Sequence, residues 1–306
     1  MWMRRPWISE KGLKMNRKVV VVTGASSGFG KLTVLELARR GHTVVATMRD
    51  VEGRNAKVRS ELIDAAKAEG HVLHVLEMDV ADEASVNSAI EQVIRQHGKI
   101  DALINNAGTM AVGVTEAYTV ADVERQFAVN FFGALRADRA VLPHMRAAGS
   151  GLLVHVTSLM GRVIFPFFGV YSASKFALEA LAEAYRYELK GFGIDSVIVE
   201  PGPFPSNLIS SSPEPSDQTV LASYGEVAAI PGQIKAHAND GHDAANPPRP
   251  QRVADAIAQL VEATERRPLR TVVMPEGIDL GVQRLNEAVS PIQNDLLTSL
   301  GMSSMI

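Results

Sequence analysis

The sequence predicts an α/β fold in which helices cover both faces of a doubly wound parallel sheet of about seven strands, within a single domain. Three observations lead to this expectation. Short runs of β-branched residues alternate with longer stretches of helical periodicity along most of the chain. A glycine-rich turn follows the first of these runs. The chain has 306 residues, of which 46% are hydrophobic, enough to build a large core.

Seven segments have the pattern of a buried strand. They are residues 18–23, 43–47, 72–77, 101–104, 152–157, 195–199 and 271–274. Apolar residues at helical spacing predict helices over residues 31–40, 82–97, 120–146 and 170–190. Because helices rather than tight turns separate the strands, we expect the strands to be parallel.

The domain boundaries follow from composition. Residues 1–16 are basic and lack the apolar core of a signal peptide, so we expect a disordered extension, with Met15 as a candidate start. Residues 17–280 form the predicted domain, and residues 281–306 a C-terminal tail. Residues 210–250 are rich in Ser, Pro, Asp, Asn and Gly. Their position after the sixth strand favours a structureless, mobile lid that orders over ligand, and the alternative is a variable surface insertion.

Composition also excludes several classes of function. The chain has no cysteine, so it forms no disulfide, thiolate nucleophile or cysteine zinc site, and we predict no metal. The net charge of −3 gives no support for a surface that binds nucleic acid. No apolar run approaches the length that spans a bilayer. The expected location is the cytoplasm, without a membrane partner.

The glycine-rich turn at residues 23–30 reads Thr-Gly-Ala-Ser-Ser-Gly-Phe-Gly and connects a strand to a helix. Glycine allows a tight turn and a close approach of the backbone to a pyrophosphate, and the helix N-terminus then offers free N–H groups. The alternative is an ordinary strand–helix turn. The candidate cofactor-binding residues here are Gly24, Ser26, Ser27, Gly28, Phe29 and Gly30.

A second constellation contains Ser158, Tyr171 and Lys175. Tyr171 and Lys175 are four positions apart on a predicted helix and therefore share one face. A free tyrosine has a pKa near 10, and a nearby ammonium group stabilises the phenolate and lowers that pKa. Such a group is suited to acid–base catalysis. A Tyr-x-x-x-Lys pair by itself is more often a coincidence of the helix surface.

Three motifs together resemble the short-chain dehydrogenase/reductase family. They are the Gly-x-x-x-Gly-x-Gly turn, the string Asn-Asn-Ala-Gly at residues 105–108, and the Ser158, Tyr171 and Lys175 set at the family's spacing. The resemblance runs from about residue 19 to residue 202. It implies a Rossmann-like fold and hydride transfer between a nicotinamide cofactor and a carbonyl or alcohol. Because the motifs occur together, a coincidence is disfavoured.

The resemblance also implies roles for single residues. Asp79 would bind the adenine amino group, although a helix cap is the alternative role for this short acidic side chain. Lys175 would hold the nicotinamide ribose, and the loop Pro-Gly-Pro-Phe-Pro-Ser at residues 201–206 would fix the carboxamide. Phe29, Phe204 and Pro205 depart from the family pattern, and Ser206 replaces the usual Thr. The implied cofactor-binding residues outside the glycine turn are Arg49, Asp79, Val80, Asn106, Ala107, Gly108, Tyr171, Lys175, Pro201, Gly202, Phe204 and Ser206.

Asn130 lies among apolar residues in the predicted helix 120–146. One interpretation is a buried amide whose hydrogen bonds are satisfied within the protein. The resemblance implies instead that Asn130 belongs to a catalytic Asn-Ser-Tyr-Lys set and holds a water in a proton relay to Lys175. We favour the second interpretation.

The end of the second strand bears on the choice of cofactor. An acidic residue there would bind the adenosine ribose and repel a 2′-phosphate. That position holds Met48, and Arg49 follows, whose guanidinium can bind a phosphate through two hydrogen bonds. We therefore expect NADP(H) rather than NAD(H). The alternative is that Arg49 is a solvated loop residue and Asp50 supplies the carboxylate.

The expected substrate is a small molecule, an apolar or aromatic ketone or alcohol, if the apolar residues 163–168 line the pocket rather than pack beneath a loop. Two rival functions are a non-catalytic dinucleotide sensor or scaffold on the same fold and a sugar-nucleotide epimerase or dehydratase. We also expect a homodimer or homotetramer. We expect its interface to be built partly on the two long helices, 120–146 and 170–190. On the second of these, Leu178, Leu181, Ala182 and Tyr185 form a stripe at helical spacing.

Overall fold

In the computed structural model, which describes residues 17–237 and 248–306, the strands form a single parallel sheet. The strands, numbered β1 to β7 in chain order, are Val19–Val22, Thr43–Met48, Leu73–Glu77, Ala102–Asn105, Gly151–Val156, Ile194–Pro201 and Arg270–Val273. Their spatial order is β3-β2-β1-β4-β5-β6-β7, and every neighbouring pair is parallel. The predicted fold class and the seven strands are confirmed. The expected extension at residues 1–16 lies outside the described residues.

The helices, numbered α1 to α11, cover both faces of the sheet. They are Gly28–Arg39, Ala56–Ala68, Glu83–His97, Val120–Asn130, Phe132–Ala148, Gly169–Glu188, Asn207–Ser210, Gln218–Ser223, Ile230–Ala236, Gln251–Glu262 and Val282–Ser299. Helices α1 and α10 contribute to the core on one face, and α3 and α5 to the core on the other. The helices α2 and α10 have no counterpart among the predicted elements.

The first strand shows why the sheet is buried on both sides. All four residues of β1 are valine and all are buried. Val20 and Val22 belong to one core, and Val19 and Val21 to the other, because successive side chains of a strand point to opposite faces. A continuous apolar run is therefore what this central parallel strand requires.

The predicted helix over residues 120–146 is wrong in one respect. It is two helices, α4 and α5, separated at Phe131, whose φ of −113° and ψ of −62° depart from the values of a regular α-helix. The interruption occupies one residue, so the helical spacing of apolar residues continues almost unchanged across it. The break makes Asn130 the last residue of α4 rather than a residue in the middle of one long helix.

The prediction that residues 210–250 lack structure is wrong for residues 210–237, which include α8 and α9. This segment is attached to the residues before and within α4. The Ser212 hydroxyl accepts the Val112 N–H at 3.1 Å, and the Tyr224 hydroxyl donates to Glu116 at 2.6 Å. The sequence did not predict these short helices because their segment is polar. Hydrogen bonds to the rest of the protein, rather than apolar packing alone, hold the segment in place. Ordering of the segment by ligand stays a prediction.

Asp122 makes the most extensive of these attachments. Its carboxylate accepts the Ser216 N–H at 3.1 Å and the Ser216 hydroxyl at 2.6 Å. It also completes a capping box with Thr119 at the start of α4. Burial raises the pKa of Asp122, but the hydrogen bonds from Ser216 and Thr119 outweigh it and lower the pKa to about 2. The carboxylate is therefore charged at neutral pH and joins the segment to α4.

The expected tail at residues 281–306 contains the helix α11. Asn286 on this helix donates to the Glu200 carboxylate of β6 at 2.6 Å and accepts from Arg162 Nε at 2.8 Å. These contacts tie the end of the chain to the sheet. Pro291 within the helix and its polar composition obscured the helical pattern in the sequence.

The prediction that the stripe on α6 forms an oligomer interface is wrong for two of its residues. Leu178 and Ala182 are buried within the protomer, at 2% and 0% exposure. They face the sheet because α6 presents the same side as Tyr171 and Lys175 to the interior. The outer face of α6 carries Phe176, whose side chain is exposed.

Candidate active site

The glycine turn lies at a reversal of strand order in the sheet. β1 and β4 are neighbours, but the chain leaves β1 towards β2 and leaves β4 towards β5, in opposite directions. A crevice forms at such a point, beyond the carboxyl ends of the strands, and ligands of doubly wound sheets bind there. Residues 23–30 follow β1, and residues 106–108 follow β4.

Two glycines allow these segments to touch. Gly24 has a φ of +67°, and a Cβ there would lie 2.7 Å from the Ala107 Cα. A Cβ on Gly30 would lie 2.4 Å from both the Asn106 Nδ2 and the Gly24 carbonyl oxygen. A side chain at either position would therefore separate the turn from residues 106–107.

The outer side of the turn is open. A Cβ on Gly28 would meet no atom of the described residues within 4 Å. Ser27 precedes α1, and within the part of the chain that the structure describes its side chain makes no capping hydrogen bond. The first turn of α1 also carries no acidic side chain. The N–H groups and the positive end of the helix dipole therefore face this open side, which fits a pyrophosphate.

Asn106 stabilises the glycine turn through hydrogen bonds to its backbone. Its amide nitrogen donates to the carbonyl oxygens of Thr23 and Gly24 at 2.9 and 3.1 Å. The backbone N–H groups of Asn106 and Ala107 both donate to the Thr23 hydroxyl at 3.0 Å. Thr23 is a residue that the sequence analysis missed, and its place just before the first glycine is the signal that could have found it. Contact of Asn106 and Ala107 with a cofactor stays a prediction.

The ends of β2 and β3 hold the residues expected to select the cofactor. Met48 is buried, and Arg49 is half exposed with Nη1 4.0 Å from the Asp79 carboxylate. Asp50 has a φ of +50°, and its carboxylate accepts the Arg54 N–H at 2.9 Å. The Asp50 carboxylate thus stabilises its own turn.

Asp79 does not cap α3. Its carboxylate accepts the Ala81 N–H at 2.9 Å, and its own N–H donates to the Ser85 hydroxyl. The cap of α3 is Asp82, whose side chain accepts the Ala84 N–H. The alternative role considered for Asp79 therefore belongs to a neighbouring residue. Val80, beside it, is buried.

Ser158 and Tyr171 lie at the carboxyl end of β5 and the start of α6. Ser158 caps a short turn, its hydroxyl oxygen accepting the Met160 N–H at 3.1 Å. Tyr171 is 5% exposed. Burial raises the pKa of Tyr171 to about 12, and the Ser158 hydroxyl beside it acts in the opposite direction. The lowered pKa that we expected for Tyr171 beside Lys175 is therefore not found, because burial dominates and the opposing effect comes from Ser158.

Lys175 follows Tyr171 by one turn of α6. Its Nζ donates to the Val156 carbonyl oxygen at 2.9 Å and lies 5.8 Å from the centre of the Tyr171 ring. Burial lowers the pKa of Lys175 to about 8, while the negative charge of Glu179 raises it. The structure thus brings Ser158, Tyr171 and Lys175 together in one buried site.

The Asn130 side chain has its hydrogen bonds satisfied within the protein. Its oxygen accepts the Thr109 N–H at 2.8 Å, and its nitrogen donates to the Thr109 carbonyl and the Ser174 hydroxyl at 2.9 and 3.0 Å. Gly108 lies between this side chain and Lys175. A Cβ there would be 3.5 Å from Asn130 Oδ1 and 3.6 Å from Lys175 Nζ. The relay role of Asn130 stays a prediction.

Phe29 and Phe204, which both depart from the family pattern, contact each other. The rings of Phe29 and Phe204 are 5.9 Å apart and nearly perpendicular, at 89°. This edge-to-face pair joins the glycine turn to the loop after β6. In that loop the Gly202 N–H donates to the Val273 carbonyl at 2.8 Å, and the Ser206 hydroxyl accepts the Leu208 N–H at 3.4 Å. Ser206 therefore caps α7.

An apolar cluster surrounds Tyr171. It contains the buried Met110, Val112 and Phe168, with Met160, Leu208, Ile209 and Ile234 partly buried against them. Within residues 163–168, Phe168 belongs to this cluster, whereas Ile164 and Phe165 are exposed. The sequence analysis missed Met110, Val112 and Ile234, which come from the loop after β4 and from α9.

Comparison with known proteins agrees with this geometry. Residues 18–216 match the family model described as short chain dehydrogenase. The chain is 34% identical to 3-ketodihydrosphingosine reductase of Bacteroides thetaiotaomicron, over 85% of this chain and 89% of that one. It is 35% identical to retinol dehydrogenase 8 of Bos taurus, over 83% and 80% of the two chains.

A solved structure shows the same similarity. A short-chain dehydrogenase from Streptomyces avermitilis superposes with a TM-score of 0.73 and 31% identity, covering 94% of this chain and 97% of that one. The chain belongs to the short-chain dehydrogenase/reductase family and is an NAD(P)-dependent oxidoreductase.

Proposed function

We propose that the chain transfers a hydride between NADP(H) and the carbonyl or secondary alcohol of an apolar substrate. The observation that carries this proposal is the buried set of Ser158, Tyr171 and Lys175, beside a glycine turn that fits a pyrophosphate. The two sites lie along one edge of the sheet, where the strands end. A nicotinamide bound there supplies or accepts the hydride.

The NADP(H) preference is supported by Arg49. The side chain is half exposed, and the one ion pair that it forms among the described residues is long, with Nη1 4.0 Å from the Asp79 carboxylate, so a phosphate would meet little competition. The carboxylate of Asp50 is engaged by the Arg54 N–H, and Met48 is apolar. Together these residues leave the end of β2 without a free carboxylate to bind a ribose hydroxyl.

Two side chains act on the substrate oxygen, and Lys175 acts through Tyr171. In reduction, Tyr171 donates its phenolic proton to the oxygen as negative charge develops, and the Ser158 hydroxyl holds that oxygen in place. A tyrosine with a raised pKa is fully protonated at neutral pH, which suits this step. In oxidation, Tyr171 must accept the proton instead, so it starts as a phenolate, and the Lys175 ammonium stabilises that form.

A path for proton exchange with Tyr171 passes through Lys175. Gly108 leaves room beside Lys175 Nζ, and the second lone pair of Asn130 Oδ1 borders the same space. A water there would accept from Lys175 and donate to Asn130. We assign Asn130 this supporting role.

The substrate class follows from the cluster around Tyr171. Met110, Met160, Phe168 and Ile234 offer apolar contacts and no charge. The names of two relatives, a 3-ketodihydrosphingosine reductase and a retinol dehydrogenase, both refer to lipophilic molecules with one oxygen function at the reacting carbon. A hydrophobic pocket with hydrogen-bonding groups at one end suits such a molecule.

The surroundings of the enzyme are part of the proposal. Over residues 17–237 and 248–306, every helix is too short or too polar to cross a bilayer. We propose a cytoplasmic homodimer or homotetramer. With Leu178 and Ala182 buried, the apolar surface available to a second copy moves to Phe132 and Phe176, which are exposed on α5 and α6.

The rival functions predict different behaviour. A sensor or scaffold would bind the dinucleotide but leave a carbonyl substrate unchanged, and an epimerase or dehydratase would require a sugar nucleotide. The presence of Ser158, Tyr171 and Lys175 in one site supports turnover.

The test is a panel of carbonyl compounds and alcohols with NADPH, NADH and their oxidised forms, followed through nicotinamide absorbance. The panel includes short polar ketones, aromatic ketones and long-chain ketones. We expect turnover that is faster with NADP(H) and that rises with the apolar surface of the substrate. Dinucleotide binding without turnover of any compound would support the sensor instead.

A further inference from the structure

Successive turns of α6 are attached to three consecutive residues at the end of β5. Tyr171 lies beside the Ser158 hydroxyl, and Lys175 Nζ donates to the Val156 carbonyl oxygen. One turn later, Glu179 Oε1 accepts the Thr157 hydroxyl at 2.6 Å. Because residues four apart share a face of a helix, the three side chains form one row, in which Glu179 follows Lys175.

Glu179 is a buried carboxylate with defined partners. It is 3% exposed, and its second oxygen accepts Arg270 Nε at 2.9 Å. A Cβ on Gly161 would be 2.9 Å from the Glu179 Cγ, so the turn after Ser158 packs directly on this side chain. A buried carboxylate placed so tightly needs a reason, because taking a charge out of water is costly.

The groups that face Glu179 come from several elements. Lys175 and Glu183 lie on α6 itself, Glu200 on β6, Arg270 on β7, and Arg162 on the turn that follows Ser158. Arg270 also pairs with Glu183, and its Nε is 3.5 Å from Glu200 Oε1. Three carboxyl groups thus surround one partly buried arginine.

Glu200 is the fully buried member of this group, and among the described residues its Oε1 has no hydrogen-bond partner. Burial and the nearby charge of Glu179 raise the pKa of Glu200 to about 8, which favours its protonated form. Burial raises the pKa of Glu179 as well, but Arg270 and Thr157 both favour its charged form. The hydrogen bonds from Thr157 and Arg270 therefore support a charged Glu179.

We propose that Glu179 is a positioning residue that keeps Lys175 in its ammonium form and holds α6 in register with the end of β5. The inference rests on the proposed roles of Tyr171 and Lys175. Lys175 is buried, and burial favours a neutral amine. A fixed negative charge one turn behind it, held by Thr157 and Arg270, offsets that effect and lets the ammonium group stabilise the Tyr171 phenolate.

The first test measures the lysine directly and needs no turnover. The NMR signal of Lys175 is identified by its loss in Lys175→Met, and its pKa is obtained by titration in the unaltered protein, in Glu179→Gln and in Glu183→Gln. Glu183→Gln is the matched control, since Glu183 pairs with the same Arg270 but lies one turn further from Lys175. We expect Glu179→Gln to lower the Lys175 pKa by about one unit, and the control to change it far less.

The second test is the pH profile of kcat/KM for reduction. Relative to the unaltered enzyme, Glu179→Gln is expected to be nearly as active at pH 5.5 and to lose activity about fivefold as pH rises to 8, because the pKa of Lys175 is lower by about one unit in the variant. A merely structural role would lower activity by the same factor at every pH. That constant factor, or equal Lys175 pKa values in the two glutamine variants, would overturn the inference.

A milder variant keeps the test decisive if Glu179→Gln does not fold. Thr157→Val removes one hydrogen bond from the Glu179 carboxylate and leaves its charge. We expect a smaller fall in the Lys175 pKa, in the same direction, and an unchanged value would contradict the inference. Absence of turnover in the unaltered protein would refute the proposed function, whereas the titration would still decide the role of Glu179.

Discussion

The glycine turn and the row of side chains on α6 lie at the same edge of the sheet but reach their geometry by different means. The turn at residues 23–30 contains no titratable side chain, and Gly24 and Gly30 leave no room for one more carbon atom. The row on α6 consists of Tyr171, Lys175 and Glu179, which are buried and titratable. The turn should therefore be sensitive to volume, and the row to charge and pH.

The difference reflects what each site must do. A pyrophosphate keeps its charge throughout the reaction, so N–H groups and a helix dipole are sufficient, and these depend only on backbone position. A reacting oxygen gains and loses a proton, so the groups around it must change charge within a fixed geometry. Four predictions test this contrast, beginning with the largest expected effect.

Removing the Tyr171 hydroxyl should abolish catalysis and leave binding intact. In Tyr171→Phe we expect kcat to fall by about 10²–10⁴, since a general acid–base group contributes on this scale. The dissociation constant of NADPH, measured by fluorescence, should change by less than about threefold, because the ring and its packing remain. Substantial activity in the folded variant would remove Tyr171 from the proposed mechanism.

Adding one methyl group to the turn should weaken the binding of NADPH, which Tyr171→Phe leaves intact. Gly30→Ala places a Cβ 2.4 Å from Asn106 Nδ2 and the Gly24 carbonyl. We expect a loss of about 1–3 kcal/mol in the free energy of unfolding and at least tenfold weaker NADPH binding, equally at every pH. Gly191→Ala is the control, because a Cβ there meets no described atom within 4 Å. Equal effects of the two variants would contradict the close packing of the turn.

The choice between NADPH and NADH should depend on the charge of Arg49, at the end of β2. Arg49→Ala removes a charge-assisted contact worth about 1.5–3 kcal/mol, so NADPH should bind about 10–100-fold more weakly while NADH changes little. Arg54→Ala, an exposed arginine of the same loop, serves as control. Tighter binding of NADH than NADPH by the unaltered enzyme would show that the interpretation of Arg49 is wrong.

The smallest effect should come from the ring pair that joins the two regions. A double-mutant cycle of Phe29→Leu and Phe204→Leu measures the coupling between the rings in the free energy of unfolding. We expect about 0.5–1.5 kcal/mol for an edge-to-face pair at this distance. Simple additivity of the two single variants would mean that these departures from the family pattern are independent.

The sequence predicted the parts of the molecule that depend on local pattern. All seven strands were identifiable because a central parallel strand must be apolar on both faces, as β1 shows. The glycine turn and the Tyr171 and Lys175 pair were identifiable because each requires a fixed spacing along the chain. The break at Phe131 was not, since one non-helical residue leaves the apolar spacing almost unchanged.

Contacts between distant parts of the chain could not be predicted from the sequence. Arg270 of β7 reaches Glu179 of α6, and Asn286 of α11 reaches Glu200 of β6, with separations of 91 and 86 residues. No spacing rule connects such residues. Residues 210–237 were misjudged for a related reason, because their polar side chains bind α4 and the loop before it rather than water. Glu179 was the exception, since its place four residues after Lys175 could have indicated a shared face.

The central claim is hydride transfer at the site formed by Ser158, Tyr171 and Lys175. It is tested most directly with NADPH deuterated at nicotinamide C4 and the long-chain ketone that gives the fastest turnover in the panel, with the alcohol product analysed by mass spectrometry. Because each nicotinamide face carries a different hydrogen, both stereospecifically labelled forms are used. We expect one deuterium at the carbinol carbon from one of the two forms, and no alcohol above background with Tyr171→Phe. Alcohol formed without deuterium from either form, or formed equally well by Tyr171→Phe, would contradict the account.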